Sequence, residues 1–242
     1  MKRTFKRKNK IGVLWIIAWS VIYAAFLALG AIKATDLYAT ILKYVGLILC
    51  FLYVLVHSRK DVYLLLALLL TLVADGILIF NNVSLLGVAV FILVQTMHLF
   101  RFTQIRVTSP LLPILAVAVI IVVGLLQNEI PIMFVFAIAY AVLMFTNIFE
   151  AAKWHAVERS RVSLYALIGF ILFLLCDICV GVSYVTTTET LPHMITMAMN
   201  YTAWVFYLPA QIFIALSGKR EADFEEVAAL SEADLNARTE TL

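Results

Sequence analysis

From Ile11 to Ser217 the chain is a succession of apolar runs of about twenty residues, parted by short polar or basic stops. About twenty apolar residues in helical form are what a hydrocarbon core of ~30 Å requires, so the pattern points to an integral membrane protein. Composition agrees. Hydrophobic residues make up 64% of the chain and charged ones 14%, with a mean hydropathy of +1.02, against the ~45–50% apolar usage of soluble domains. The expected class is all-α, a polytopic helical bundle of about eight transmembrane helices with no separate soluble domain.

Taken in order, Lys2, Arg3, Lys6, Arg7, Lys8 and Lys10 precede an apolar run from Ile11 to about Ile32. The run exceeds the ~7–15 residues of a signal-peptide core and further runs follow it, so an uncleaved first helix is expected, with cleavage after Gly30 the minor alternative. Helices are then expected over Tyr38 to His57, Val62 to Phe80, Leu85 to Phe102, Leu111 to Leu126, Pro131 to about Glu150, Val162 to Tyr184 and His193 to Ser217. A threonine-rich turn is expected at Thr186 to Thr190. Residues 1–10 read as a basic tail, 11–217 as the membrane domain, and 218–242, with seven of the fifteen acids, as an acidic tail.

Alternate connections collect sixteen of the eighteen Lys and Arg residues on one side of this arrangement, leaving Lys33 and Lys43 on the other. The positive-inside rule then predicts both termini in the cytoplasm and the turns at Asn82, Glu129 and Glu189 outside. A missed or extra helix breaks that alternation. Cys50, Cys176 and Cys179 all fall in apolar runs, which supports neither a disulfide framework nor a metal site. There is no glycine-rich phosphate loop and no nucleophile elbow. No cofactor and no nucleic acid is expected, and the sequence leaves the oligomeric state open.

The acids outside the tail are Asp36, Asp61, Asp75, Glu129, Glu150, Glu158, Asp177 and Glu189. Six lie in or near connections, and Asn147 and Glu150 are expected to reach the cytoplasmic interface. Only Asp75 and Asp177 lie deep in runs, where a carboxylate costs about 2.5–3.5 kcal/mol to insert and is a functional-site hypothesis by default. They follow Asp61 by 14 residues and Arg161 by 16, about 21 and 24 Å at 1.5 Å per residue, and so share a depth. Lys43, five residues into a helix running the other way, lands near the same level.

Two carboxyls and an ammonium at one depth can form a site in which burial keeps one acid neutral while the lysine keeps the other ionised. The plain alternative is a structural ion pair joining helices, with Lys43 reaching toward the headgroups. Gln95, His98 and Arg101 follow helical spacing, as do Asn200, Tyr207 and Gln211 in the last run. Either set reads as a cavity-lining face or as interhelical hydrogen bonding. Trp15, Trp19, Trp154 and Trp204 read as interface anchors or core.

The order of these residues resembles the YhhN family of membrane proteins. Lys43 matches a family lysine, and Ala74, Asp75 and Leu78 resemble its Gly-Asp-x-x-Leu motif. Gly87 with Phe91 and Tyr140 with Met144 are similar to its fourth and sixth helices. Gly169, Phe173, Cys176 and Asp177 resemble Gly-x-x-x-Phe-x-x-Ser-Asp, and Tyr207, Ala210 and Gln211 resemble Tyr-x-x-Ala-Gln. The departures are Gln95 for a frequent histidine, His98 for a frequent tyrosine, Ala74 for glycine and Cys176 for serine.

The resemblance implies a lysoplasmalogenase-like hydrolase that cleaves the vinyl ether bond of a lysophospholipid. Asp75 and Asp177 would be catalytic, with Lys43, Gln95, His98, Asn200, Tyr207 and Gln211 binding the substrate. The partner would be that lysophospholipid or another membrane lipid, and the expected location is a bacterial cell membrane. The alternative from another class is a small-molecule or proton-coupled transporter, or a lipid-binding bundle, in which the same acids carry protons or a cation. Pro209, the one proline deep in a run, offers that alternative few of its usual broken helices.

Overall fold

The structure, a computed structural model, describes residues 2–31, 36–81, 84–104, 109–127, 129–188 and 193–218. Those residues form eight helices and no strand: α1 (Lys2–Ala31), α2 (Asp36–His57), α3 (Val62–Asn81), α4 (Leu85–Gln104), α5 (Leu111–Leu126), α6 (Ile132–Glu158), α7 (Arg161–Thr188) and α8 (His193–Leu216). Asn82, Arg106, Glu189 and the acidic tail from Lys219 lie outside the described residues. Three ends differ from the expected ones by more than a residue or two. The basic stretch at the start is part of α1, α6 runs two turns past Glu150, and α7 takes in Thr186 to Thr188. For α1 and α6, hydropathy marks where hydrocarbon ends, whereas Lys, Arg, Glu and Ala are good helix formers and carry the helix on beyond the apolar run.

The connection between α6 and α7 is therefore only Arg159 and Ser160. Arg159 turns left-handed at φ 48°, its N–H donating to the His155 carbonyl at 2.9 Å. Ser160 caps α7, its hydroxyl accepting from the Ser163 N–H at 3.1 Å. This satisfies a donor that the first helical turn leaves without a partner.

Five helices contain stretches long and apolar enough to cross a membrane, in α2, α3, α4, α6 and α7. The apolar stretches of α1, α5 and α8 are shorter, Leu14–Ala28, Leu111–Leu126 and Tyr201–Leu216. The outer surface is apolar as well. Leu112 is 75% exposed, Leu126 78% and Phe149 62%, and apolar side chains spread this widely over a surface belong against lipid. The protein is a membrane-embedded helical bundle.

Six helices close a circuit by pairwise packing, α2 to α3 to α4 to α6 to α7 to α8 and back to α2. The first helix of each half lies outside it. α1 covers the seam between α8 and α2. α5 covers the seam between α4 and α6, where Val117 joins Ile92 and Leu99 of α4 and Ala139 and Leu143 of α6 in one cluster. Replacing each helix by the one four places on maps these contacts onto one another, so the chain packs as two four-helix halves. Asp75 and Asp177 occupy equivalent helices of that arrangement, α3 and α7.

The most extensive of the pairings is α7 with α8, and Gly169 permits it. A Cβ there would stand 3.0 Å from the Ile214 nitrogen and 3.2 Å from the Ala210 carbonyl oxygen, so any side chain would push the two backbones apart. α8 continues through Pro209. Proline has no N–H for the carbonyl four residues earlier, which is that of Val205. The Tyr23 hydroxyl of α1 donates to that oxygen instead, at 3.0 Å, so an interhelical bond satisfies a group that lipid cannot.

At the end of the bundle where α3 begins, Arg101 of α4 is 2% exposed and donates through Nε to Asp61 Oδ2 at 2.9 Å. It also donates to the Ser217 hydroxyl at 2.9 Å and to the Ser217 carbonyl. Asp61 accepts in turn from the Leu64 N–H at 3.3 Å. One guanidinium thus ties the start of α3 and the ends of α4 and α8 together. Asp61 and Glu150 are each only 2% exposed, enclosed by protein.

Candidate functional site

Each helix of the circuit turns a polar side chain toward its neighbours near one level. In a helix the Cα–Cβ bonds tilt toward the N-terminus. Asp75 on α3 and Asp177 on α7 therefore lean toward the starts of those helices. Tyr140 on α6 and Tyr207 on α8, where the chain runs the other way, lean to meet them. The Tyr207 hydroxyl donates to Asp75 Oδ2 at 2.5 Å, and the Tyr140 hydroxyl donates to Asp177 Oδ2 at 2.6 Å. Each candidate acid is thus held by one phenol from another helix.

The two pairs belong to one assembly. Tyr207 and Cys176 each lie within electrostatic reach of both aspartates. Phe173 packs edge-on against Tyr207 with centroids 5.8 Å apart and against Phe91 at 6.1 Å, and Phe91 reaches Tyr140 at 6.3 Å. An aromatic wall therefore runs from one acid–phenol pair to the other. Asp75 is 9% exposed, and Asp177 is half-buried.

Lys43 enters from α2. Its Nζ stands 3.1 Å from the centroid of the Trp204 ring, a cation–π contact strengthened where water is scarce. It lies within electrostatic reach of Asp75. Trp204 in turn packs edge-on against Tyr207 with centroids 5.4 Å apart. Trp204, which reads in the sequence as an anchor or core residue, is the platform for the only lysine within reach of Asp75 that the described residues record.

On the other side, Gln95 Nε2 donates to the Tyr140 hydroxyl at 3.2 Å. Asn147 Nδ2 donates to the Gln95 side-chain oxygen at 2.8 Å and to its backbone carbonyl at 2.9 Å. A relay of hydrogen bonds thus runs from Asn147 through Gln95 and Tyr140 to Asp177. Asn147 is fully buried within the protein.

The other residues singled out from the sequence are placed as follows. His98 lies one turn beyond Gln95, 1% exposed, its ring edge-on to Phe170 at 5.0 Å. It touches neither aspartate. Gln211 lies one turn past Tyr207, buried, with its Nε2 lacking a hydrogen-bond partner. Asn200 is in α8, and its side chain lies outside the described residues. Cys50, Cys176 and Cys179 are buried free thiols. Among the described residues no group of three or more His, Cys, Asp or Glu side chains comes together as metal ligands do.

Sequence reasoning gave Tyr140 no role beyond a motif match and gave Asn147 none. The signal available for both was their spacing, seven residues apart on one face of α6, beside a helix known to carry a buried amide.

Set beside known proteins, the model of the YhhN family matches residues 38–218. No curated protein and no solved structure matches the chain.

Proposed function

The chain belongs to the YhhN family, and from that premise and its two tyrosine-held carboxyls we propose that it is a membrane-embedded lysoplasmalogenase-like hydrolase. The observation that carries the reading is the pair of acids, on equivalent helices of the two halves, each accepting a hydrogen bond from a buried phenol. Vinyl ether hydrolysis asks for such a pair. A neutral carboxylic acid donates its proton to the β-carbon of the alkenyl ether, and the electrons of the double bond form the new C–H bond. The oxocarbenium ion that results is stabilised by the second, ionised carboxyl. That carboxylate takes a proton from water as the water oxygen adds to the α-carbon. The hemiacetal then collapses to a fatty aldehyde as its hydroxyl proton passes to the first carboxylate, and the second, protonated acid returns its proton to the departing glycerol oxygen. One water is consumed and both carboxyls are restored.

A single-chain lipid reaches a site at this depth from within the bilayer. Lys43, on its Trp204 platform, is the cation for the phosphate, and Gln95 with Tyr140 orients Asp177. The test is to incubate the purified protein with an alkenyl and with an acyl lysophospholipid, following aldehyde and fatty acid. Aldehyde from the first alone is expected. Asp75→Asn and Asp177→Asn preserve shape and remove the titratable proton, so each is expected to cost about 10²–10⁴-fold in turnover at unchanged folded yield. A wild type inert toward every vinyl-ether lipid would show the proposal wrong.

A second reading, a proton-coupled carrier, is favoured by one observation: each four-helix half presents one acid to a shared interior, as in transporters whose sites lie between repeats. It predicts proton-linked flux in vesicles and no aldehyde.

A further inference from the structure

Between the acid–phenol pairs and the Arg101 cluster, the facing surfaces of α4 and α6 bury polar atoms that find no protein partner. They are Asn147 Oδ1, Glu150 Oε2 and His98 Nδ1, on residues no more than 2% exposed. Their heights follow from contacts above and below them. Gln95 bonds Asn147, and two turns on, Phe102 packs edge-on against Trp154 at 6.2 Å. The offset between the two helices is 52 residues at both contacts, so His98 lies level with Glu150 between them. The three atoms therefore stand in two layers, Asn147 above and the His98–Glu150 level one turn below. Arg101, one further turn down, lies within electrostatic reach of His98.

A buried oxygen without a donor costs about 1–3 kcal/mol, more when charged, and three such atoms on one facing surface are not explained by packing. Water supplies what they lack. It gives two donors and accepts from an imidazole N–H. One turn of helix is about 5.4 Å, the span of a single water making two hydrogen bonds of about 2.8 Å. Polar sites with two to four such partners are where buried waters reside. Glu150 Oε1 is meanwhile fixed by Lys153 Nζ at 2.9 Å, and that lysine side chain is 32% exposed. It marks where the polar track meets the surface.

We propose that α4 and α6 hold a column of bound water, with Lys153 and Glu150 at its mouth, His98 and Asn147 along it, and the Gln95–Tyr140–Asp177 relay at its head. Its purpose rests on the hydrolase reading, since such a reaction consumes one water per turnover and an apolar substrate entering from lipid brings none. On that reading His98, Asn147 and Glu150 are positioning residues that set the supply of water and protons to Asp177.

The test is X-ray radiolytic labelling of the full-length protein in ¹⁸O-enriched water, which modifies side chains beside bound waters whatever their burial. In the wild type, His98 and Tyr140 are expected to be labelled at least about tenfold faster than Phe26, once each rate is scaled to intrinsic reactivity, since an apolar buried site stays dry. Phe26 is 3% exposed and packs on Tyr201, away from the column. Asn147→Leu, which fills the upper layer of the column with hydrocarbon, should remove most of the His98 and Tyr140 labelling. It should also lower kcat on a vinyl-ether lysolipid with KM unchanged. Wild-type labelling of His98 and Tyr140 no faster than that of Phe26 would overturn the column, whatever the variant does. Labelling as expected from a protein that releases no aldehyde upholds the column and overturns the hydrolase reading alone.

Discussion

Pro209 removes the one donor that the Val205 carbonyl would have within α8, and the Tyr23 hydroxyl replaces it. Tyr23→Phe deletes the replacement and leaves the carbonyl with neither N–H nor water. Interhelical hydrogen bonds in membranes are worth about 0.6 kcal/mol on average and up to about 1.7. The Val205 oxygen has no alternative donor in its own helix, which places this bond near the upper end. Tyr23→Phe is therefore expected to cost about 1.5 kcal/mol. Pro209→Ala returns an N–H at position 209 to the Val205 oxygen, and in that background Tyr23→Phe removes a redundant donor and costs under ~0.5 kcal/mol. The coupling in the double-mutant cycle is the difference, about 1 kcal/mol. SDS titration of the four proteins in mixed micelles, read by far-UV circular dichroism, measures it. Effects that add to within ~0.3–0.5 kcal/mol would refute the reasoning and return Tyr23 to the status of an ordinary interface residue. The stake is functional, because Val205 and Pro209 flank Tyr207.

Arg101→Ala removes the buried ion pair that joins α4 to Asp61 and should destabilise the bundle by about 3–5 kcal/mol; a loss below about 1 kcal/mol in the same titration would contradict the clamp described here. Arg159→Gly relieves a left-handed backbone that costs an L-residue about 1–2 kcal/mol, and should raise the apparent Tm despite the greater freedom of glycine in the unfolded chain; a lower Tm would mean that the side chain contributes more than its strain. For topology, a cysteine introduced at Glu129 should react with an impermeant maleimide from outside intact cells while one at Arg159 should not, and the opposite pattern would reverse the predicted orientation.

The helices were legible where a breaker stands next to an apolar run. α5 begins and ends where expected because Pro110 precedes it and Gln127 follows. They were less legible where a run fades into charge, as in α6, because hydropathy reports the solvent and not the backbone. The two aspartates could be singled out because nothing about insertion favours them. The pairing of each with its tyrosine could not, although Tyr207 and Tyr140 stood out in the motifs, since a phenol in an apolar helix is as suitable at a lipid interface as against a carboxyl, and Tyr207 is 132 residues from its acid. Asp61 and Arg101 look like surface charges beside loops. Only the convergence of α3, α4 and α8 at one end buries them together.

That separation of 132 residues is also a delay. At about 5–20 residues per second of synthesis, α3 enters the membrane on the order of ten seconds before the tyrosine that will hold Asp75 exists. Asp177 has no such wait, because Tyr140 precedes it by 37 residues. During the interval Asp75 needs another companion, and Lys43, one helix earlier and within electrostatic reach in the finished bundle, is the one at hand. Pairing of that kind would give the lysine a part in biogenesis, separate from the lipid-binding role proposed for it. A Lys43 variant would fail first in yield from the translocon, before any enzyme could be assayed.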